Sequence, residues 1–328
     1  MTDLRRRQLV VGFLVAGAGL LGRDAFAQPA RLFKIGALTE SWGPTPSIVG
    51  LRDGLQELGY REDKDFTIGV RFTEGKVAEL PAAARDLVRH RVDVIVTTES
   101  GPAAKAAQVA TNQIPIVVIG SGDPVGLGLV RSLARPGGNI TGVADLDVQL
   151  VPKRMEMFRE LIPGLKRVLV PYDATNSAAV AQLAVHREAA LRLGLTLVER
   201  PVRNEEEARA TITGLRRGDA DGIFSLRFLS SNIPGFILEV ASRGVMPTMF
   251  TSGFFVERGG LASYAANLYE LGKQAARMVG KILKGTRPAE LPVEQSTKFE
   301  LVINLKTAKA LGLTIPPSVL LRADRVIE

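Results

Sequence analysis

The sequence predicts an α/β protein made of two Rossmann-like lobes with parallel sheets, joined by a hinge. Short apolar runs rich in β-branched residues alternate with amphipathic stretches, and the connections between them are short. The alternation occurs twice, on either side of residues 143–150, where no long flexible linker is found. A chain of 328 residues is long enough for two such lobes.

The elements follow from hydrophobic periodicity and from the glycines and prolines that interrupt it. In the first round we predict strands at 32–38, 66–72, 92–96, 114–119 and 142–143, and helices at 46–58, 77–90 and 102–112. In the second round we predict helices at 148–161, 178–193, 205–215, 234–242 and 268–283, and strands at 167–170, 195–202, 222–226, 247–250 and 261–264. A strand-like stretch at 292–305 and a short helix at 307–311 follow, and the pattern alone assigns them to neither lobe.

Residues 1–27 have the three-part plan of a bacterial export signal. Arg5, Arg6 and Arg7 precede an apolar run over 9–21, and Ala25-Phe26-Ala27 has the small-x-small pattern of a cleavage site. The run is shorter than the roughly 18 residues of a membrane span. We therefore predict a periplasmic mature protein that does not span the membrane. The paired arginines are compatible with the twin-arginine route, and the general secretory route stays open.

Composition excludes several classes of function. The chain has no cysteine, so it forms no disulfide and has no thiolate nucleophile or metal ligand. The net charge of +8 is spread among acidic residues rather than clustered, which argues against nucleic acid as a partner. A G-x-G-x-x-G pattern at 17–22 falls in the export signal and is followed by Pro29, so we predict no dinucleotide cofactor.

Enzyme signatures are scarce. His90 and His186 are both predicted to lie on helices next to arginines, and there is no G-x-S-x-G elbow, P-loop or histidine-rich metal spacing. We predict no catalytic residue, no metal and no cofactor, and hence a protein that is not an enzyme. An exported α/β hydrolase-type enzyme is the alternative, and a sensory or regulator domain is a third reading.

Small polar residues follow most of the predicted strands. Ligands of open α/β sheets bind beyond the carboxyl ends of the strands, where hydroxyls and free backbone N–H groups suit an anion and an acid suits an ammonium group. Most of these residues also precede predicted helices, so simple helix capping is the competing explanation for them. The candidate ligand-binding residues are Trp42, Thr97, Thr98, Ser100, Ser121, Asp123, Asp173, Asn176, Arg227, Ser231 and Asn232.

Five stretches resemble a family of ABC transporter substrate-binding proteins that is often described as tryptophan/tyrosine transport-like. They are LPAAARDLVRHRVDVIVTT (80–98), IPIVVIGSGDPVGLGLV (114–130), RPGGNITGV (135–143), GLASYAANLYELGKQAA (260–276) and FELVINLKTAKALGL (299–313). The resemblance extends over nearly all of the chain after the export signal.

The resemblance implies a type I periplasmic-binding-protein fold whose two lobes close on a ligand. It implies that 31–144 plus about 265–300 form lobe 1 and 145–264 form lobe 2, while the tail 301–328 stays unassigned. The expected function is that of the periplasmic component of an ABC importer, a monomer whose partners are a small-molecule ligand and a membrane permease. The expected ligand is a small polar or acidic molecule, an amino acid or an organic acid, and Arg227 in the cleft favours an acidic ligand over an aromatic amino acid.

Overall fold

A computed structural model describes residues 31–41, 43–98, 101–227 and 232–328. The predicted export signal lies outside these residues. The chain first forms β1 (Phe33–Thr39), α1 (Pro46–Glu57), β2 (Phe66–Phe72), α2 (Leu80–Arg89), β3 (Val94–Thr98), α3 (Gly101–Ala110), β4 (Ile116–Ile119) and β5 (Ile140–Ala144).

The second round of alternation begins with a helix. It contains α4 (Val151–Leu161), β6 (Arg167–Asp173), α5 (Ser177–Arg192), β7 (Thr196–Val202), α6 (Glu205–Thr213), β8 (Gly222–Phe224), α7 (Ile233–Ser242), β9 (Thr248–Phe250), α8 (Gly253–Glu257) and β10 (Ala262–Ala266). The remaining elements are α9 (Leu268–Leu283), β11 (Glu294–Gln295), β12 (Phe299–Asn304), α10 (Leu305–Ala310), α11 (Pro317–Leu320) and β13 (Arg325–Ile327).

The strands form two sheets, which confirms the predicted two-lobed α/β fold. One sheet has six strands in the order β11-β5-β4-β3-β1-β2, and the other has seven in the order β13-β12-β10-β9-β8-β6-β7. Neighbouring strands run parallel, except that β12 pairs antiparallel with β10. We call the first sheet with its helices the first lobe and the second sheet with its helices the second lobe.

The chain passes between the sheets three times: after β5, after β10 and after β11. Helix α9, which follows β10, packs on α1 and on strands β4 and β5 of the first lobe. Strands β12 and β13 belong to the second sheet, so the C-terminal segment that the pattern left unassigned ends in the second lobe. The two rounds of strand and helix alternation thus form two lobes, and three short crossings of the chain connect them.

Close packing of glycines fixes the position of α1 against α9. A Cβ atom on Gly272 would lie 2.0 Å from the backbone oxygen of Ser47, and one on Gly50 would lie 2.0 Å from the backbone oxygen of Tyr269. The two helices therefore approach at backbone distance. This contact matters for function because both helices begin at the edge of the cavity described next.

Candidate functional site

A cavity of about 560 Å³ opens where loops of the two lobes meet. Residues 43–46, between β1 and α1, line it from the first lobe, and residues 251–252 with helix α8 line it from the second. Asp145 and Asp147 after β5, and residues 265–268 at the next crossing, complete its wall. The volume is within the range of small-molecule sites, which is about 300–1,000 Å³.

Helix α8 supplies an aromatic wall to the cavity. The Ser252 hydroxyl accepts a hydrogen bond from the backbone N–H of Phe254 and so caps the helix start. The Phe254 and Phe255 rings meet edge to face at 5.3 Å, and Phe255 stacks on buried Phe250 at 5.0 Å. The Arg258 guanidinium lies 3.4 Å from the centre of the Phe254 ring. These contacts hold two flat apolar surfaces at the cavity before any ligand arrives.

One ion pair connects the lobes at the cavity. Arg227, which follows β8 in the second lobe, donates one Nη to the Asp145 carboxylate and the other to the backbone oxygen of Gly120 in the first lobe. The second oxygen of Asp145 accepts the backbone N–H of Gly122 at 3.1 Å. Only 14% of the Arg227 side chain is exposed. The guanidinium therefore reaches the cavity already neutralised by a carboxylate.

A second ion pair lies behind the cavity wall. Arg154 on α4 is 1% exposed, and it donates to the Asp147 carboxylate at 2.7 Å and to the backbone oxygen of Tyr264 at 2.8 Å. His186 is buried nearby, in edge contact with the Phe224 ring at 5.5 Å. Burial lowers the pKa of His186; the hydrogen bond between its ring and the Gln182 backbone oxygen opposes this, and the positive charge of Arg154 adds to it. Burial therefore favours the neutral form of this core histidine.

Four buried hydroxyls in the first lobe have no hydrogen-bond partner within the described part of the chain: that of Thr73, which follows β2, and three at the ends of β3 and β4. Thr97 and Thr98 end strand β3, and Ser121 follows β4 between the two glycines that contact Arg227 and Asp145. A buried polar group without a partner costs free energy, and a bound ligand is one common way to satisfy it. Thr97, Thr98 and Ser121 are among the residues predicted from the sequence.

Three other predicted residues satisfy the backbone of their own loops. Asp123 is exposed and accepts the N–H groups two and three residues ahead, at 3.1 and 2.9 Å. Asp173 accepts the backbone N–H and the hydroxyl of Thr175 at 2.8 and 2.6 Å. Asn176 caps α5 by accepting two backbone N–H groups. Helix capping is therefore present at Asn176, whereas Asp123 and Asp173 stabilise turns within their own loops.

The remaining predicted residues divide into two groups. Asn232 begins α7 with a left-handed backbone (φ 51°), and its side chain makes no capping hydrogen bond there. Trp42, Ser100 and Ser231 lie outside the described residues. Among the predicted residues that the structure describes, Arg227 is the one that lines the cavity.

Sequence reasoning did not select most of the cavity wall. Asp145 and Asp147 were missed because the residues after the short fifth strand were not considered as a strand end. Thr251 and Ser252 follow β9, and the phenylalanines of α8 come directly after them. A paired aromatic immediately after a polar strand end is the signal that was available.

The comparison with known families decides what kind of site this is. Residues 43–327 match the family described as "ABC transporter substrate binding protein". The chain belongs to this family. The match does not support the hydrolase alternative, since the relatives are substrate-binding proteins. Across the described residues, no helix has both the length and the apolar character needed to cross a membrane.

This substrate-binding protein is 27% identical over 266 residues to a relative named "Tyrosine-binding protein" from Clostridioides difficile (strain R20291). The match covers 80% of this chain and 76% of the relative. A conserved domain protein from Vibrio cholerae superposes with a TM-score of 0.80 at 32% identity, over 90% of this chain and 99% of the other.

Two further solved structures differ in whether a ligand is bound. The ABC domain in complex with L-Trp from Streptococcus pneumonia has a TM-score of 0.80 at 31% identity, over 90% of this chain and 100% of that one. A ligand-free, open substrate binding protein from Clostridium difficile has a TM-score of 0.63 at 26% identity, over 90% and 99%. The present structure thus resembles the complex with L-Trp more closely than the open protein.

Proposed function

We propose that this substrate-binding protein binds an α-amino acid with an aromatic side chain and hands it to the membrane permease of an ABC importer. The observation that carries the proposal is the cavity itself, which is lined both by aromatic rings and by paired charges. Phe254 and Phe255 suit an aromatic side chain, and Pro44 adds a further apolar surface to the lining. The named relatives, one tyrosine-binding and one solved with L-Trp, support the same class of ligand.

The polar end of the cavity suits the α-amino and α-carboxylate groups. Asp145 is a partner for an ammonium group, and Arg227 is a partner for a carboxylate. The Ser121 hydroxyl, between the two glycines that contact this pair, has no hydrogen-bond partner among the described residues. A ligand that satisfies it recovers about 1–3 kcal/mol of desolvation cost.

This assignment revises the ligand preference drawn from Arg227 alone. An acidic side chain would need an uncompensated cation in the cavity. Arg227 is paired with Asp145, so a dicarboxylic ligand finds no excess positive charge there. The Arg258 guanidinium, stacked on Phe254, contributes to an aromatic wall rather than to a pocket for a second carboxylate.

The proposal also includes the export of the protein and the closure of its two lobes. Residues 1–27 direct export to the periplasm, by the twin-arginine or the general route. Residues 31–144 with about 265–300 move as one lobe, and 145–264 move as the other together with strands β12 and β13. A ligand that contacts both lobes binds the closed form better and so shifts the population towards it.

Isothermal titration of the mature protein tests the ligand class. L-Tyr, L-Trp and L-Phe are compared with L-Glu, L-Asp and ribose. We expect at least one aromatic amino acid to bind with a Kd of about 1 μM or tighter, equivalent to about −8 kcal/mol. At a concentration 100 times Kd it should stabilise the protein by about 2.7 kcal/mol, which raises Tm by roughly 4–8 °C. Tighter binding of L-Glu than of every aromatic amino acid would contradict the proposal.

A further inference from the structure

The turn between β5 and α4 has a strained backbone and lies in the cavity wall. Leu146 has φ 60°, in the left-handed region that a branched side chain rarely adopts. Its neighbours Asp145 and Asp147 both line the cavity and are both buried. Strain of this kind persists only where surrounding contacts hold it, and it concentrates at functional sites.

Arg154 provides the contacts that hold this turn. Its Nη2 donates to Asp147 and its Nε donates to the backbone oxygen of Tyr264, one residue before cavity-lining Ala265. Asp147 follows the first crossing between the sheets, and Tyr264 precedes the second. A single buried guanidinium thus ties together both crossings that form the cavity wall.

The same turn also positions Asp145. The backbone N–H of Asp147 donates to the Asp145 carboxylate at 3.3 Å, and the same carboxylate accepts Arg227 from the second lobe. A continuous set of polar contacts therefore runs from Arg154 through Asp147 and Asp145 to Arg227. It links the hinge to the ion pair that must separate when the lobes open.

We propose that Arg154 is a positioning residue for ligand binding: it holds the strained turn so that Asp145 meets Arg227 across the cleft. Its effect is on the balance between open and closed lobes as well as on stability. This inference goes beyond the proposed ligand, because the contacts that carry it are all between residues of the protein itself.

The first experiment compares Arg154→Lys with Arg227→Gln and with their double variant, using small-angle scattering of the ligand-free protein. Lysine keeps the charge but lacks the guanidinium group that donates hydrogen bonds to both Asp147 and Tyr264. We expect both single variants to have a larger radius of gyration than the unmodified protein. We expect the double variant to show no further increase, because both changes interrupt one set of contacts.

Arg187→Lys is the matched control. Arg187 makes an equally two-pronged pair with Glu199, at 2.6 and 2.8 Å, on the exposed surface of the second lobe. It should leave the radius of gyration unchanged. If Arg154→Lys lowers Tm but leaves the radius of gyration at the unmodified value, its role is only structural and the proposal is overturned. If Arg154→Lys does not fold, Asp147→Asn interrupts the same contact and is judged by the same criterion.

Rescue at Leu146 tests the link through the strained turn. Glycine adopts φ near 60° without strain, so Leu146→Gly should remove the backbone strain that the contacts of Arg154 offset. We expect Arg154→Lys to weaken aromatic amino acid binding about tenfold through a smaller closed population, and the added Leu146→Gly change to recover most of it. No recovery would overturn the inference. The scattering readout needs no ligand, so a failure of the proposed ligand class is distinguishable from a failure of this proposal.

Discussion

The two lobes bring opposite kinds of surface to the cleft. The second lobe contributes side chains that already contact one another: the Phe254 and Phe255 rings, the Phe250 ring beneath them and the Arg258 guanidinium above. The first lobe contributes residues 43–46 to the cavity wall, and Ser121 at the end of its strand β4 lies between the two glycines that contact Arg227 and Asp145. The second-lobe side chains pack on one another, whereas the Ser121 hydroxyl has no hydrogen-bond partner among the described residues.

This difference assigns separate tasks to the two lobes. A preformed aromatic wall gives affinity at little cost in conformational entropy, because its side chains are fixed by packing. Unsatisfied hydroxyls give specificity, because a ligand that lacks the matching polar groups leaves them buried and unpaired. Substitutions on the two sides should therefore have different signatures in stability and in affinity.

The largest expected effect is on the aromatic wall. Phe254→Ala should weaken binding of the preferred aromatic amino acid about 10- to 100-fold, since it removes about 1.5–3 kcal/mol of ring contact. Titration calorimetry measures the change. Phe72→Ala is the matched control, because Phe72 has the same 37% exposure but ends β2 and does not line the cavity. Equal losses in the two variants would refute the role given to the second lobe.

A smaller effect of a different kind is expected in the first lobe. Ser121→Ala removes a buried hydroxyl that has no hydrogen-bond partner in the part of the chain that the structure describes, so the Tm measured without ligand should stay unchanged or rise. Affinity should fall about fivefold, equivalent to about 1 kcal/mol for one hydrogen bond. Melting curves and titrations are made on the same samples.

Ser263→Ala is the control for this measurement. The Ser263 hydroxyl is equally buried and has no partner among the described residues, but it lies within β10 of the second lobe. Its removal should likewise leave Tm unchanged or higher without changing affinity. If Ser121→Ala lowers the Tm of the ligand-free protein and spares affinity, the hydroxyl is structural and the contrast between the lobes fails.

The sequence predicted the fold better than the site, for a physical reason. Runs such as Val94–Thr98 are buried on both faces of a parallel sheet, and this leaves a continuous apolar pattern that can be read locally. The five-residue helix α8 is too short to show helical periodicity, and it was not predicted. It nevertheless carries the aromatic wall.

Site residues depend on tertiary contacts that a local pattern does not record. Every predicted residue followed a strand, as the rule for open sheets requires. Asp123, Asp173 and Asn176 meet that rule and bond to their own loops. Arg227 meets the same rule and reaches the other lobe. Which loop faces the cleft depends on the relative placement of two sheets, and that depends on contacts far apart in sequence.

The smallest expected effect is a pH dependence confined to the second lobe. Burial lowers the pKa of His186 below its usual value of 6.5; the hydrogen bond to the Gln182 backbone opposes this, and the smaller effects of Arg154 and Asp147 lower and raise the pKa respectively. The unfolded chain therefore binds this proton more readily than the folded one, so stability is greatest above about pH 6.5 and is lost as the pH falls towards the folded pKa. Tm should drop by a few degrees between pH 7 and 5.5, and the drop should be smaller in His186→Gln.

His90→Gln, which changes the exposed histidine of the first lobe, is the control and should keep the full drop. If the two variants lose Tm equally with falling pH, the protonation of His186 does not limit stability and the second lobe has no special sensitivity to acid.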